Sequence, residues 1–201
     1  MEMLPLAFTS GWTSGINAYA TVLILGLLGR FAGFTEVPAG LQRTDVLIIA
    51  GVLTVVELVA DKIPYVDSVW DMISTMVRPA AGAVIGALLA GNTSDLLTLA
   101  LASVGGVTAL VSHLVKSGLR LAINTSPEPV TNVAASVAGD LSVAGVSVFA
   151  LLNPVVAAVI AVLLLIIGVV LTALLLSRIR RGWRAFRRWL GRDRAQHASS
   201  A

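Results

Sequence analysis

The stretch "VVAAVIAVLLLIIGVVLTALLL", residues 155–176, contains no charged residue. A bilayer hydrocarbon core of about 30 Å takes about 20 helical residues to cross, so this stretch suffices. In lipid every backbone N–H and C=O must be paired inside the protein, which leaves helices or a closed barrel. Barrel strands show short segments of period-two alternation, and none is present here. The reading is therefore a transmembrane helix.

Outward from it, five more apolar stretches can be marked: 15–32, 46–60, 72–90, 96–115 and 130–152. The second is short and needs its polar end, Glu57 to Lys62, to complete a crossing. The third and fifth are rich in Gly, Ala and Ser. The expected fold class is all-α, a polytopic transmembrane bundle of about six spans. It divides into a membrane domain over 1–176, a basic amphipathic helix over 177–194 and a disordered end over 195–201. Composition agrees: 57% of residues are hydrophobic and 12% charged, with a mean hydropathy of +0.91. A soluble domain carries about 25% charged residues.

The net charge of +3 hides an asymmetry. Eight of the fourteen basic residues are arginines between Arg178 and Arg194. The high pI belongs to this tail, so it gives no reason to expect nucleic acid as a partner. The excess of Lys and Arg places the tail in the cytoplasm. Six spans counted backwards put Lys116, Arg120, Lys62, Arg78 and the first residues inside as well. Arg30 and Arg43 fall outside. A re-entrant first segment would break this count, and Pro5, Gly11 and Gly15 permit one. Residues 1–14 hold no Lys or Arg, so the first apolar segment is expected to be retained rather than cleaved as a signal peptide. With no cysteine, disulfides and thiolate sites are excluded.

Ionisable residues inside a membrane are costly and face protein or water, so they mark candidate sites. Glu57 and Asp61, four apart, share a helix face at the end of span two, with Lys62 beside them. Asp67 and Asp71 repeat that spacing in the cytoplasmic loop before span three, and Arg78 lies on span three. His113, Lys116 and Arg120 form one face of span four. If spans two and four pack, Glu57 and Asp61 meet His113 and Lys116. Asp140 lies near the middle of span five, where an aspartate costs about 2.5–3.5 kcal/mol to insert. A set of salt bridges and interhelical hydrogen bonds would explain the same residues without any transport role.

In the cytoplasmic loop 122–132, Pro127 and Pro129 bracket Glu128, and Thr131 or Asn132 can cap the next helix. Gly82 and Gly86 form a G-x-x-x-G pair, with Gly139 in a similar setting on span five; such residues let helices approach closely, within one chain or in a homo-oligomer. Small-residue runs starting at Asn17, Arg78 and Thr131 suggest repeated helical hairpins. In the tail, Trp183, Phe186 and neighbouring apolar residues line one helix face, with Arg180, Arg184 and Arg187 on the other and Trp189 near the edge. This suits an interfacial helix on anionic lipid. No hydrolase, Walker or zinc-protease motif occurs, so enzymatic activity and cofactors have little support, and the two histidines leave the choice of any metal open.

The segments "SGINAYATVLILGLLGR", "ELVADKIPYVDSVWD", "RPAAGA" and "NTSPEP" together resemble a bacterial integral-membrane family known as a domain of unknown function, number 4126. The likeness runs to about Leu176. It implies a multi-pass protein of the bacterial inner membrane and assigns no activity. The residues themselves suggest a small channel or transporter-like protein with a cytoplasmic-side site for a cation or proton. The alternatives are a scaffold or accessory subunit, and a lipid-processing enzyme using the Asp61–Asp71 carboxylates with a divalent metal.

Overall fold

A computed structural model describes residues 2–63, 66–123 and 129–198. Those residues form seven α-helices: α1 (Met3–Ile16), α2 (Ala18–Ala32), α3 (Thr44–Ala60), α4 (Val66–Ala90), α5 (Asp95–Ile123), α6 (Pro129–Leu152) and α7 (Pro154–Ala198). A short 3₁₀ turn, Ala39–Gln42, precedes α3. No strand occurs among the described residues. Four helical segments, Val69–Ala90, Asp95–Ile123, Val133–Leu152 and Pro154–Arg181, are long and apolar enough to cross a membrane.

The large apolar side chains point outward and the small or polar ones inward. On α7 the buried residues are Ala157, Ala161 and Gly168, at helical spacing, while Val159, Leu163, Ile166 and Val170 are exposed. The inward stripe of α4 reads Asp67, Asp71, Ser74, Arg78, Gly82, Ile85 and Ala90, and its outer face carries Val69, Met72 and Met76. This is the inverse of a soluble helix. It follows when hydrocarbon replaces water as the outer solvent, because interior packing then depends on close approach and polar pairing.

The first apolar stretch differs from a simple span. Residues 3–16 form a helix of their own, buried on all sides from Thr9 to Gly15 and packed against α4, α5, α6 and α7. Asn17 is extended, with φ −151° and ψ 99°, and separates α1 from α2. The two helices run in opposite directions. Met3 and Leu6 at the start of α1 line a cavity with Thr35, Glu36 and Pro38, which follow α2, and with Leu88 to Gly91 at the end of α4. Ser14, near the other end of α1, donates to the Arg78 carbonyl in the middle of α4. The pair is thus a hairpin that enters and leaves at one end of the bundle, with its tip at Asn17. At about 1.5 Å per residue each arm is about 22 Å long, short of a 30 Å core. The expected stretch 15–32 thus corresponds to α2, and α1 is a further helix before it, set off by the extended Asn17.

Glycines set the closest approaches. A Cβ on Gly82 would lie 2.6 Å from the Gly105 carbonyl oxygen, and one on Gly11 would meet the same atom. Gly86 faces the Leu101 carbonyl equally closely, whereas Gly139 has ordinary contact with Ile16. Helices α1, α4 and α5 therefore meet backbone to backbone, so Gly82 and Gly86 serve contacts within one chain. The other expectations on elements need two adjustments. Helix α6 begins at Pro129, which suits a first turn because its missing N–H has no partner there, so Thr131 and Asn132 lie within the helix instead of capping it. Helix α7 continues unbroken through 177–194 and on to 198, so the first residues of the expected disordered end are helical.

Candidate functional site

At the tip of the hairpin the chain's ionisable residues converge. Helix α3 ends in Glu57 and Asp61, one turn apart. Helix α4 supplies Asp67, Asp71 and Arg78 at intervals of four and seven, and α5 supplies His113, Lys116 and Arg120 at three and four. Glu57, Asp61, Asp67 and Arg78 are each at most 1% exposed. Asp67 and Asp71, expected in a solvated loop, are instead buried in the first turns of α4. The helix starts earlier than hydropathy suggests, because its charged face turns toward α5.

Arg78 is the hub. Its Nη2 donates to Glu57 Oε1 at 2.7 Å, and its Nη1 lies 3.3 Å from Asp71 Oδ1. The same Nη1 donates to the Gly15 carbonyl at 3.4 Å and meets His113 Nδ1 at 2.7 Å. A guanidinium only donates, so Nδ1 must accept and the imidazole proton sits on Nε2. That nitrogen is 3.0 Å from Thr75 Oγ1. The arrangement thus holds His113 as the neutral ring.

Below this, Lys116 donates to Asp61 Oδ2 at 2.6 Å and to the Ile16 carbonyl at 2.8 Å. It lies 3.7 Å from Glu57. Arg120 donates to Asp61 Oδ1 at 2.9 Å and stands 3.7 Å from Asp67 and 3.6 Å from Asp71. The exposed carbonyls at the end of α1 are therefore satisfied by Arg78 and Lys116, where a helix C-terminus favours cations.

Asn17 turns the hairpin and links the cluster to α6. Its Oδ1 accepts from the Ala20 N–H at 2.9 Å, capping α2. Its Nδ2 donates to Asp140 Oδ1 at 3.3 Å. Asp140 Oδ2 is 4.0 Å from Lys62 Nζ, and both side chains are partly exposed. A cavity of about 400 Å³ adjoins this region between α1, α5, α6 and α7, with largely apolar walls and Lys116 and Arg120 at its edge.

The structure thus brings together Glu57, Asp61, Asp67, Asp71, Arg78, His113 and Lys116, with Lys62 and Asp140 at the flank. Asp61 meets Lys116 as the shared-face spacing anticipates, while His113 turns to Arg78 instead of a carboxylate. Among the described residues no set of three His, Asp or Glu side chains converges as metal ligands would. Asp61 and Asp71 face arginine and lysine instead. Glu128 lies outside the described residues, as do the side chains of Trp183, Arg184, Phe186, Arg187 and Trp189; Arg180 is exposed. Sequence reading missed Asn17 as the tip and did not mark α1 as a helix, although the re-entrant alternative rested on Pro5, Gly11 and Gly15, which lie in it. The signal lay in "TSGWTSGIN", too polar to register as a span, in which hydroxyls bond back to the preceding turn: Thr9 to the Pro5 carbonyl and Thr13 to that of Thr9.

A family model described as "Domain of unknown function (DUF4126)" matches residues 4–173. No curated protein and no solved structure matches the chain.

Proposed function

The chain belongs to the DUF4126 family, and on that footing and its own geometry we propose that it is a small transporter- or channel-like membrane protein handling a proton or a monovalent cation. One observation carries the reading: a charged network is sealed inside an apolar bundle at the tip of a helical hairpin whose arms fall short of a bilayer core. Buried ion pairs seldom stabilise a fold more than apolar packing would, so their retention argues for a task. Discontinuous helices with polar tips at mid-depth are also how many transporters build ion sites. Glu57 and Asp140 are the working carboxylates, with Arg78, His113 and Lys116 positioning them.

The arginine-rich end of α7 faces the cytoplasm and contacts anionic lipid, which puts the start of α1 on the other side. A bacterial inner membrane is the setting consistent with this charge bias. Proteoliposomes loaded with a pH-sensitive dye, under imposed proton, sodium and potassium gradients, provide the test. Glu57→Gln and Asp140→Asn should each lower flux about tenfold or more. Equal flux in wild type and both variants would overturn the proposal, as would no wild-type flux under any gradient.

A scaffold role is the second reading, favoured by the closed pairing of Arg78, Lys116 and Arg120. It gains if a stoichiometric partner co-purifies and no gradient drives flux.

A further inference from the structure

We infer that the buried network holds one bound proton, seated on one of the two carboxyls that touch Arg78, Glu57 or Asp71. This deepens the reading above by choosing the proton over a metal cation at the same site.

The argument starts from charge. Among the described residues four carboxylates meet in the cluster, Glu57, Asp61, Asp67 and Asp71, and three cations face them, Arg78, Lys116 and Arg120. His113 adds nothing, because its Nδ1 accepts from Arg78 and the ring is neutral. The flanking Lys62 and Asp140 offset each other. One negative charge is left over in a bundle whose outer faces are apolar. An uncompensated charge in such surroundings is costly enough that a group neutralises rather than stay ionised.

Geometry then narrows the seat. Asp61 receives Lys116 and Arg120 on its two oxygens. Asp67 and Asp71 stand 3.7 and 3.6 Å from Arg120, and Asp71 Oδ1, 3.3 Å from Arg78, is buried without a hydrogen-bond partner among the described residues. Glu57 is gripped on Oε1 alone, and its fully buried Oε2 has no hydrogen-bond partner among the described residues. Arg78 Nε is likewise buried and unbonded. The pair therefore meets through one hydrogen bond instead of the two-point fork that an arginine and an ionised carboxylate usually make. A neutral acid accepts that one contact on its carbonyl oxygen and carries its proton on the other. A metal cation would need several oxygens around one point, and no such convergence exists among the described residues. Glu57 is faced by Arg78 on α4, Lys116 on α5, Asp61 on its own helix and Tyr19 on α2; Asp71 and His113 contact Arg78, and Arg120 contacts Asp61. From α1 it meets no charged group, and Asp140 of α6 lies beyond Lys62 and Asn17.

Infrared spectroscopy of the full chain in lipid nanodiscs at neutral pH tests this. Wild type should show a protonated-carboxyl C=O band that shifts in D₂O. Glu57→Gln or Asp71→Asn should lose that band, and Asp140→Asn should keep it. Absence of the band in wild type overturns the inference without reference to any variant's folding. Survival of the band in both Glu57→Gln and Asp71→Asn overturns the assignment to the carboxyls at Arg78. A thermal transition that rises with sodium or potassium in a protein lacking the band would put a metal cation there instead. The outcome is separable from transport: a band lost in Glu57→Gln or Asp71→Asn with no flux retains the proton and removes the transporter, and flux without the band does the reverse.

Discussion

Arg78 shows at the residue scale why the cluster cannot be trimmed piecemeal. Its guanidinium meets Glu57, Asp71, His113 and the Gly15 carbonyl at once. Removing one partner of a buried ion pair costs about 3–5 kcal/mol because the other charge is stranded. Arg78→Ala should therefore lower the thermal transition in detergent sharply. Arg78→Lys should recover only part, since one ammonium cannot span four acceptors on different helices. Equal transitions for Arg78→Ala and wild type would show that the cluster is not holding α1, α3, α4 and α5 together. The sequence made most of these residues legible, because an ionisable group in an apolar run stands out on cost alone. Their partners were not legible: nothing in the spacing of Glu57 says that Arg78, on the next helix, faces it in preference to His113.

The hairpin raises the matter of the element. Hydropathy finds helices by what they show to lipid, so it registered α2 to α7 and passed over α1, which shows lipid almost nothing. The buried helix is instead marked by Thr, Ser and Gly, whose hydroxyls close on their own backbone and whose small size admits neighbours. Asn17→Ala should cost about 1 kcal/mol from the lost cap, and the loss of its bond to Asp140 adds to that. Asn17→Asp keeps the cap but replaces the donor that faces Asp140 with an acceptor, so it should be worse than Asn17→Ser. Thermal unfolding of the three variants gives the order, and a best-behaved Asn17→Asp would argue against the contact. Packing predicts a second contrast. Gly82→Ala pushes a methyl into the Gly105 backbone and should destabilise, whereas a Cβ on Gly145 meets nothing within 4 Å. Gly145→Ala should be neutral or stabilising by about 0.5–1 kcal/mol, as glycine is a poor helix interior. The same assay decides, and equal behaviour of the two variants would mean that α4 and α5 are further apart than described.

For the whole molecule the distinctive outcome is a first pair of helices that returns to the side it came from, followed among the described residues by four segments long and apolar enough to cross a membrane. Since the chain has no cysteine, single introduced cysteines report topology cleanly. Glu2→Cys and Ser94→Cys should react with an impermeant maleimide from one side of a sealed vesicle, and Arg181→Cys from the other. Labelling of Glu2→Cys from the Arg181 side would restore a continuous first span. The charge bias of the tail was readable from the sequence, but the course of α1 was not, since one extended residue at position 17 reverses it. Helix α7 adds a mechanical consequence. At about 1.5 Å per residue its 45 residues make a rod of about 68 Å. Its pivot is where Gly168 and Thr172 seat against Val115 and Gly118 of α5, a few residues from His113 and Lys116. The roughly 25 Å beyond Arg181 is then a lever arm, and torque applied there, by lipid or by another protein, is delivered to the helix that carries Lys116 and Arg120, two of the cations closing on Glu57 and Asp61.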